Sequence, residues 1–103
     1  GLVSAENLAL MKNSAFLINT SRGPIVDEKA LLKSLKEKEI KGAGIDVFST
    51  EPLPIESELR NLDNVLLTPH TGYFTEESYE IFHQQMIENI LSWHDGKPIR
   101  RLT

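Results

Sequence analysis

Three short apolar runs organise this chain: Ala15-Phe16-Leu17-Ile18, Ile45-Asp46-Val47-Phe48 and Val65-Leu66-Leu67. Each stops abruptly at polar or turn-forming residues, so each reads as a short buried strand rather than a helix. Between the first two, Leu31, Leu32 and Leu35 fall on one side of a helical pattern, with Lys33, Lys36, Glu37 and Lys38 mostly solvated. Asp27 caps that helix, and Val26 before the cap pairs with Leu31 as a hydrophobic staple. Its late lysines oppose the negative end of the helix dipole. The segment from Ser49 to Asn64, with Pro52, Pro54 and many charges, is predicted to be an irregular loop. Beyond Gly72, Thr75 caps a long helix to about Asp95, whose Tyr79, Phe82, Met86, Ile90 and Trp93 recur at helical spacing before Gly96 and Pro98 end it. A short helix from Ser4 through Leu10, with Leu8 and Met11 as apolar contacts, precedes everything. Strand, helix, strand, loop, strand, helix predicts an α/β fold: part of a doubly wound parallel sheet with a long C-terminal helix.

Composition removes several classes of function. The 103 residues carry a net charge of −4 with scattered basic residues, which gives no reason to expect a nucleic acid. No apolar run approaches the roughly 20 residues of a membrane span, and no signal-peptide core is present, so the cytoplasm is the default expectation. With no cysteine there is no disulfide framework, thiolate nucleophile or Cys-rich zinc site. His70, His83 and His94 are spaced unlike a local ligand motif, so no metal is expected.

The loop after the first strand, Asn19-Thr20-Ser21-Arg22-Gly23-Pro24, gathers groups suited to a small anion. Ligand sites of open α/β sheets form at such carboxyl ends. The stretch Met11 to Asp27, MKNSAFLINTSRGPIVD, is similar to the signature of the D-isomer-specific 2-hydroxyacid dehydrogenases. Gly44-Ile45-Asp46-Val47-Phe48, Thr50-Glu51-Pro52 and Thr68-Pro69-His70-Thr71-Gly72 follow in similar order and spacing. The resemblance covers essentially the whole chain and implies a Rossmann-like nucleotide-binding domain that moves hydride between NAD, or NADP, and a D-2-hydroxy acid or 2-oxo acid.

It also implies roles. Arg22 offers a planar fork that matches a carboxylate bidentately and keeps its charge; in the resembled family the matching arginine holds the substrate acid. Histidine titrates near working pH, which suits His70 to the proton that accompanies hydride transfer. Glu51 is its orienting partner, set above Glu56, Glu58 and Asp63 by its place in Thr50-Glu51-Pro52. Thr20, Ser21, Arg22, Asp46, His70 and Gly72 resemble positions around the nicotinamide. For Asp46 the competing reading is a buried carboxylate bonded to the backbone. Asn19 reads as a hydrogen-bonder within its loop, and the aromatic residues of the long helix as packing.

The chain begins with Gly1 and contains no Gly-x-Gly-x-x-Gly turn, the usual pyrophosphate cradle. It is therefore expected to be the carboxyl-terminal third of such an enzyme, inactive alone. Residues 1–72 would be the end of the NAD-binding domain, and 73–103 a helix and tail returning to the substrate domain. With little sheet to cover, the long helix calls for another partner, a second copy in a homo-oligomer such as a dimer. The alternative function is a non-catalytic NAD-sensing or corepressor-like protein of the same fold.

Overall fold

The computed structural model describes residues 1–102, which divide into two compact units, Gly1–Gly72 and the described residues from Tyr73 onward. In the first unit, α1 (Ala5–Ala9) starts at Ser4, whose hydroxyl accepts from the Asn7 amide while the Asn7 side chain accepts from the Ser4 amide. β1 (Phe16–Asn19) follows, then a 3-10 turn (Gly23–Ile25) and α2 (Glu28–Lys36). Asp27 caps α2 by accepting from the Ala30 amide at 3.0 Å. Val26 and Leu31 are both buried beside that cap, as a staple requires.

β2 (Gly42–Ile45) and β3 (Val65–Leu67) complete a three-stranded parallel sheet in the order β1-β2-β3. The second strand lies three residues earlier than the apolar run Ile45–Phe48 suggested. Phe16 pairs with Gly42 and Ile18 with Gly44, and these glycines leave room for the bulky side chains beside them. A Cβ on Gly42 would lie 3.1 Å from the Phe16 ring, and one on Gly44 2.9 Å from the Ile18 side chain. Glycines penalised in an isolated strand are thus selected by their neighbours. Asp46-Val47-Phe48 follow the strand as a buried loop at its carboxyl end.

Alternation sorts the sheet into two faces. Leu17, Asn19, Ala43 and Ile45 are buried with Leu8, Leu31, Leu35 and Ile40, while Phe16, Ile18 and Leu66 are exposed on the other face. The segment predicted as an irregular loop contains a second 3-10 turn (Glu58–Asn61) and adds Leu53 and Leu59 to the core. Arg60 ties it together, donating from Nε to the Pro54 carbonyl at 2.9 Å and from Nη2 to the Leu53 carbonyl at 2.6 Å.

The second unit is α3 (Glu76–His94) with its flanking residues. Thr75 caps it through the Ser78 amide, and Gly96, at φ 71°, ends it in the left-handed region that suits glycine. Arg100 folds back onto the helix, donating to Glu88 at 2.6 Å and to Asn89 at 3.0 Å. No residue of α3 is buried. Its apolar residues include Ile81, Ile87 and Leu91 outside the predicted stripe, so more than one side of the helix is apolar.

Candidate active site

A parallel sheet delivers the carboxyl ends of all its strands to one edge. Residues 20–23 follow β1, 46–51 follow β2 and 68–72 follow β3, so segments distant in sequence meet there. Asn19, buried at the end of β1, fixes the first loop twice: Nδ2 donates to the Arg22 carbonyl at 3.0 Å, and Oδ1 accepts from the Ser21 amide at 3.2 Å. Its carbonyl accepts from the Asp46 amide at 3.0 Å, joining the first loop to the second. Gly23 packs so closely on the second loop that a Cβ would lie 2.0 Å from the Phe48 carbonyl carbon.

On this platform Glu51 meets His70. Glu51 Oε1 accepts from the Phe48 amide at 2.9 Å, and Oε2 lies 2.7 Å from His70 Nδ1. One oxygen is anchored and the other engages the ring. With Nδ1 donating to Glu51, Nε2 is the nitrogen left to exchange a proton with a ligand. The hydrogen bond with His70 foremost, then the Phe48 amide and the positive charges of His70 and Arg22, hold the Glu51 carboxyl below its usual 4.5, against the opposing effect of desolvation. A cleft of about 500 Å³ adjoins the pair, walled by Phe48, Pro52, Leu53, Leu67 and Pro69 with Arg60 at its side.

Arg22 is exposed, and its one side-chain hydrogen bond among the described residues runs from Nη1 to the Ser21 carbonyl at 2.7 Å. Thr20 and Ser21 are exposed beside it, with their hydroxyls unpaired among the described residues. These three present hydrogen-bonding groups at the sheet edge. Asp46 differs: it is 3% exposed, and its carboxylate already accepts from the Thr68 hydroxyl, the Thr71 amide at 2.9 Å and the Gly72 amide at 2.8 Å. The Thr68 hydroxyl foremost, the two amides and the charge of His70 hold its carboxyl below the usual 3.8, and burial opposes them. A Cβ on Gly72 would come within 3.0 Å of Asp46 Oδ2. The reading of Asp46 as a carboxylate bonded to backbone therefore describes its present contacts. Sequence reasoning missed Thr68 and the Phe48 amide; only the Thr-Pro step closing β3 hinted at the former.

His83 and His94 lie in the second unit on α3, and the ring of His83 packs against that of Tyr79, tilted by 38° at 4.4 Å between centroids. Among the described residues, no cluster of His, Cys, Asp or Glu could hold a metal ion, and no helix is long and apolar enough to cross a membrane.

Residues 1–72 match the family described as D-isomer specific 2-hydroxyacid dehydrogenase, NAD binding domain. The chain belongs to this family. Over 96 residues it is 47% identical to glyoxylate/hydroxypyruvate reductase B of Enterobacter agglomerans, an alignment covering 93% of this chain and 30% of that protein. Among solved structures it is similar to a D-isomer specific 2-hydroxyacid dehydrogenase from Xanthobacter autotrophicus Py2 in complex with NADPH and MES (42% identity, TM-score 0.74, 97% of this chain and 40% of the other). It is also similar to the NAD-complexed enzyme of Lactobacillus delbrueckii ssp. bulgaricus (32% identity, TM-score 0.80, 99% and 35%). The chain thus spans about 30% of the curated relative and 35–40% of these solved chains. The fold is the partial, Rossmann-type α/β sheet of these dehydrogenases, and the matched family domain binds NAD.

The donor set fits one end of such a cofactor. The unpaired groups of Thr20, Ser21 and Arg22 at the sheet edge can meet a polar, uncharged ring substituent. No Gly-x-Gly-x-x-Gly turn is present to cradle a pyrophosphate.

Proposed function

We propose that this chain forms the hydride-transfer end of a nicotinamide-dependent oxidoreductase acting on a small 2-oxo acid and its D-2-hydroxy acid. The observation that carries this is the Glu51–His70 pair, an imidazole held at 2.7 Å by a carboxylate whose other oxygen is anchored to the backbone. It lies on the same edge as the exposed Arg22 guanidinium. The 47% identity to a glyoxylate/hydroxypyruvate reductase favours glyoxylate and hydroxypyruvate as the first substrates to test.

The nicotinamide, when bound, supplies or takes up hydride at the substrate's second carbon. Arg22 pairs through its fork with the substrate carboxylate, fixing the reacting carbon and setting its face. In reduction, His70 gives the proton on Nε2 to the carbonyl oxygen; in oxidation it takes that proton from the hydroxyl. Glu51 keeps the ring in the orientation that exposes Nε2 and stabilises the imidazolium from which the proton leaves. Thr20, Ser21 and the backbone near Gly72 would hold the nicotinamide end, with NAD and NADP both compatible with these residues. Asp46 acts on this edge through the Thr71 and Gly72 amides that its carboxylate receives. The second unit, residues 73–103, is assigned to the return toward the substrate domain, and a homodimer is the assembly proposed for the complete enzyme.

The test is NADH oxidation, followed by absorbance, with glyoxylate and with hydroxypyruvate in the complete enzyme. Turnover is expected, and His70→Gln should lower kcat roughly 10²- to 10⁴-fold, more than it raises KM. A His70→Gln enzyme with wild-type kcat removes His70 from proton transfer.

A further inference from the structure

His70 adopts a left-handed backbone conformation, φ 57°. A residue with a Cβ avoids this region unless its surroundings over-determine it. The contacts on either side of His70 supply that constraint. Before it, the Thr68 amide donates to the Ile45 carbonyl at 3.0 Å, and the Thr68 hydroxyl donates to Asp46 Oδ1. After it, the Thr71 amide donates to the same oxygen at 2.9 Å, and the Gly72 amide to Oδ2 at 2.8 Å. Three donors bracketing His70 thus converge on one buried carboxylate.

That carboxylate is itself fixed. Asp46 follows directly on β2, and its amide is held by the Asn19 carbonyl at the end of β1. All three groups it receives are donors, so an ionised acid suits the position and an amide does not: Asn would turn its NH₂ toward one of them. Gly72 belongs to the same device, because a Cβ there would crowd Asp46 Oδ2 at 3.0 Å.

We propose that Asp46 is a positioning residue whose carboxylate clamps residues 68–72 into the turn that sets the His70 backbone and aims its imidazole at Glu51 and the substrate. This rests on the reading of His70 as the proton donor. It places the need for Asp46 and Gly72 in the geometry of the turn, before any contact with cofactor. The Thr68 hydroxyl becomes a functional group of the site.

Two measurements in the complete enzyme test the clamp. The first is amide hydrogen exchange: Thr71 and Gly72 amides should be protected although both residues are exposed, and Asp46→Asn and Thr68→Val should speed their exchange. Unprotected amides in the wild type overturn the clamp whether or not the enzyme turns over. The second is kinetic. Asp46→Asn should lower kcat roughly 10- to 100-fold, the scale of a misplacement of about 1 Å, with the NADH dissociation constant by fluorescence little changed. Added to His70→Gln, it should change kcat by less than about twofold, since it acts through His70. Full multiplication of the two losses, or weakened NADH binding at unchanged kcat, overturns the proposal. Should Asp46→Asn not fold, Thr68→Val against Thr68→Ser decides: the serine, which keeps the hydroxyl, should retain kcat where the valine loses it, and equal kcat for both refutes the clamp. Absence of turnover in the wild type would instead count against the proposed function.

Discussion

Gly23→Ala tests how the loops of this site are stacked. Gly23 is buried, and an added Cβ would lie 2.0 Å from the Phe48 carbonyl carbon, 2.2 Å from its oxygen and 2.5 Å from the Ser49 nitrogen. Ordinary contact begins near 3.4 Å, so the backbone at Phe48 must retreat by about 1.4 Å or the 19–23 loop must lift by as much. Neither obstacle is the flexible end of a side chain. Overpacking of this kind costs about 1–3 kcal/mol or more in stability. The functional effect should be larger than that suggests, because the Phe48 amide anchors Glu51, and Glu51 holds His70. A displacement of about 1 Å in a reacting group lowers rates roughly 100-fold, so kcat in the complete enzyme should fall on that scale. Thermal unfolding by circular dichroism and steady-state NADH oxidation measure the two effects. An alanine variant with wild-type melting temperature and wild-type kcat would refute the stacking of residues 19–23 on 48–49.

Further expectations follow from the same geometry. Arg22→Lys keeps the charge and loses the fork; the loss of one charge-assisted hydrogen bond should lower kcat/KM for the 2-oxo acid roughly 10- to 100-fold, and unchanged kinetics would remove Arg22 from the site. Asp46 and Glu51 both have carboxyl groups held below their usual 3.8 and 4.5, so their contribution to stability is fully present above those values and is lost as pH falls through the lower native ones. Wild-type acid unfolding should therefore show a steeper loss below about pH 4 than Glu51→Gln does, and superimposable acid limbs would contradict the Glu51 hydrogen bonds. The 103-residue chain by itself should bind NADH poorly and lack turnover, since it offers no pyrophosphate turn. Its exposed Phe16, Ile18 and Leu66 should drive self-association visible by light scattering, and micromolar NADH binding by a monomer would show this account wrong.

Local chemistry determined much of this protein. Ser4, Asp27 and Thr75 cap their helices as short side chains with free oxygens do, and Gly96 ends the last helix because its left-handed φ suits glycine. Three apolar runs ending in polar loops pointed to a parallel sheet, and the family resemblance of the segments that follow them singled out Arg22, Glu51 and His70 at its carboxyl edge. The caps and stops depend on contacts a few residues long, which is why a linear reading reaches them.

Tertiary structure decided the rest. Gly42-Ala43-Gly44 has low strand propensity, yet it is β2 because Phe16 and Ile18 of the neighbouring strand fill the space its glycines leave. Leu53 and Leu59 enter the core from a segment whose prolines and charges suggested only a loop. Asp46 sat within an apolar run, a place where charge is costly. Its burial is explained only by three donors arriving from 22 to 26 residues away. A sequence displays which groups are available, but the pairing of a carboxylate with distant amides is fixed by the sheet that brings the loops together.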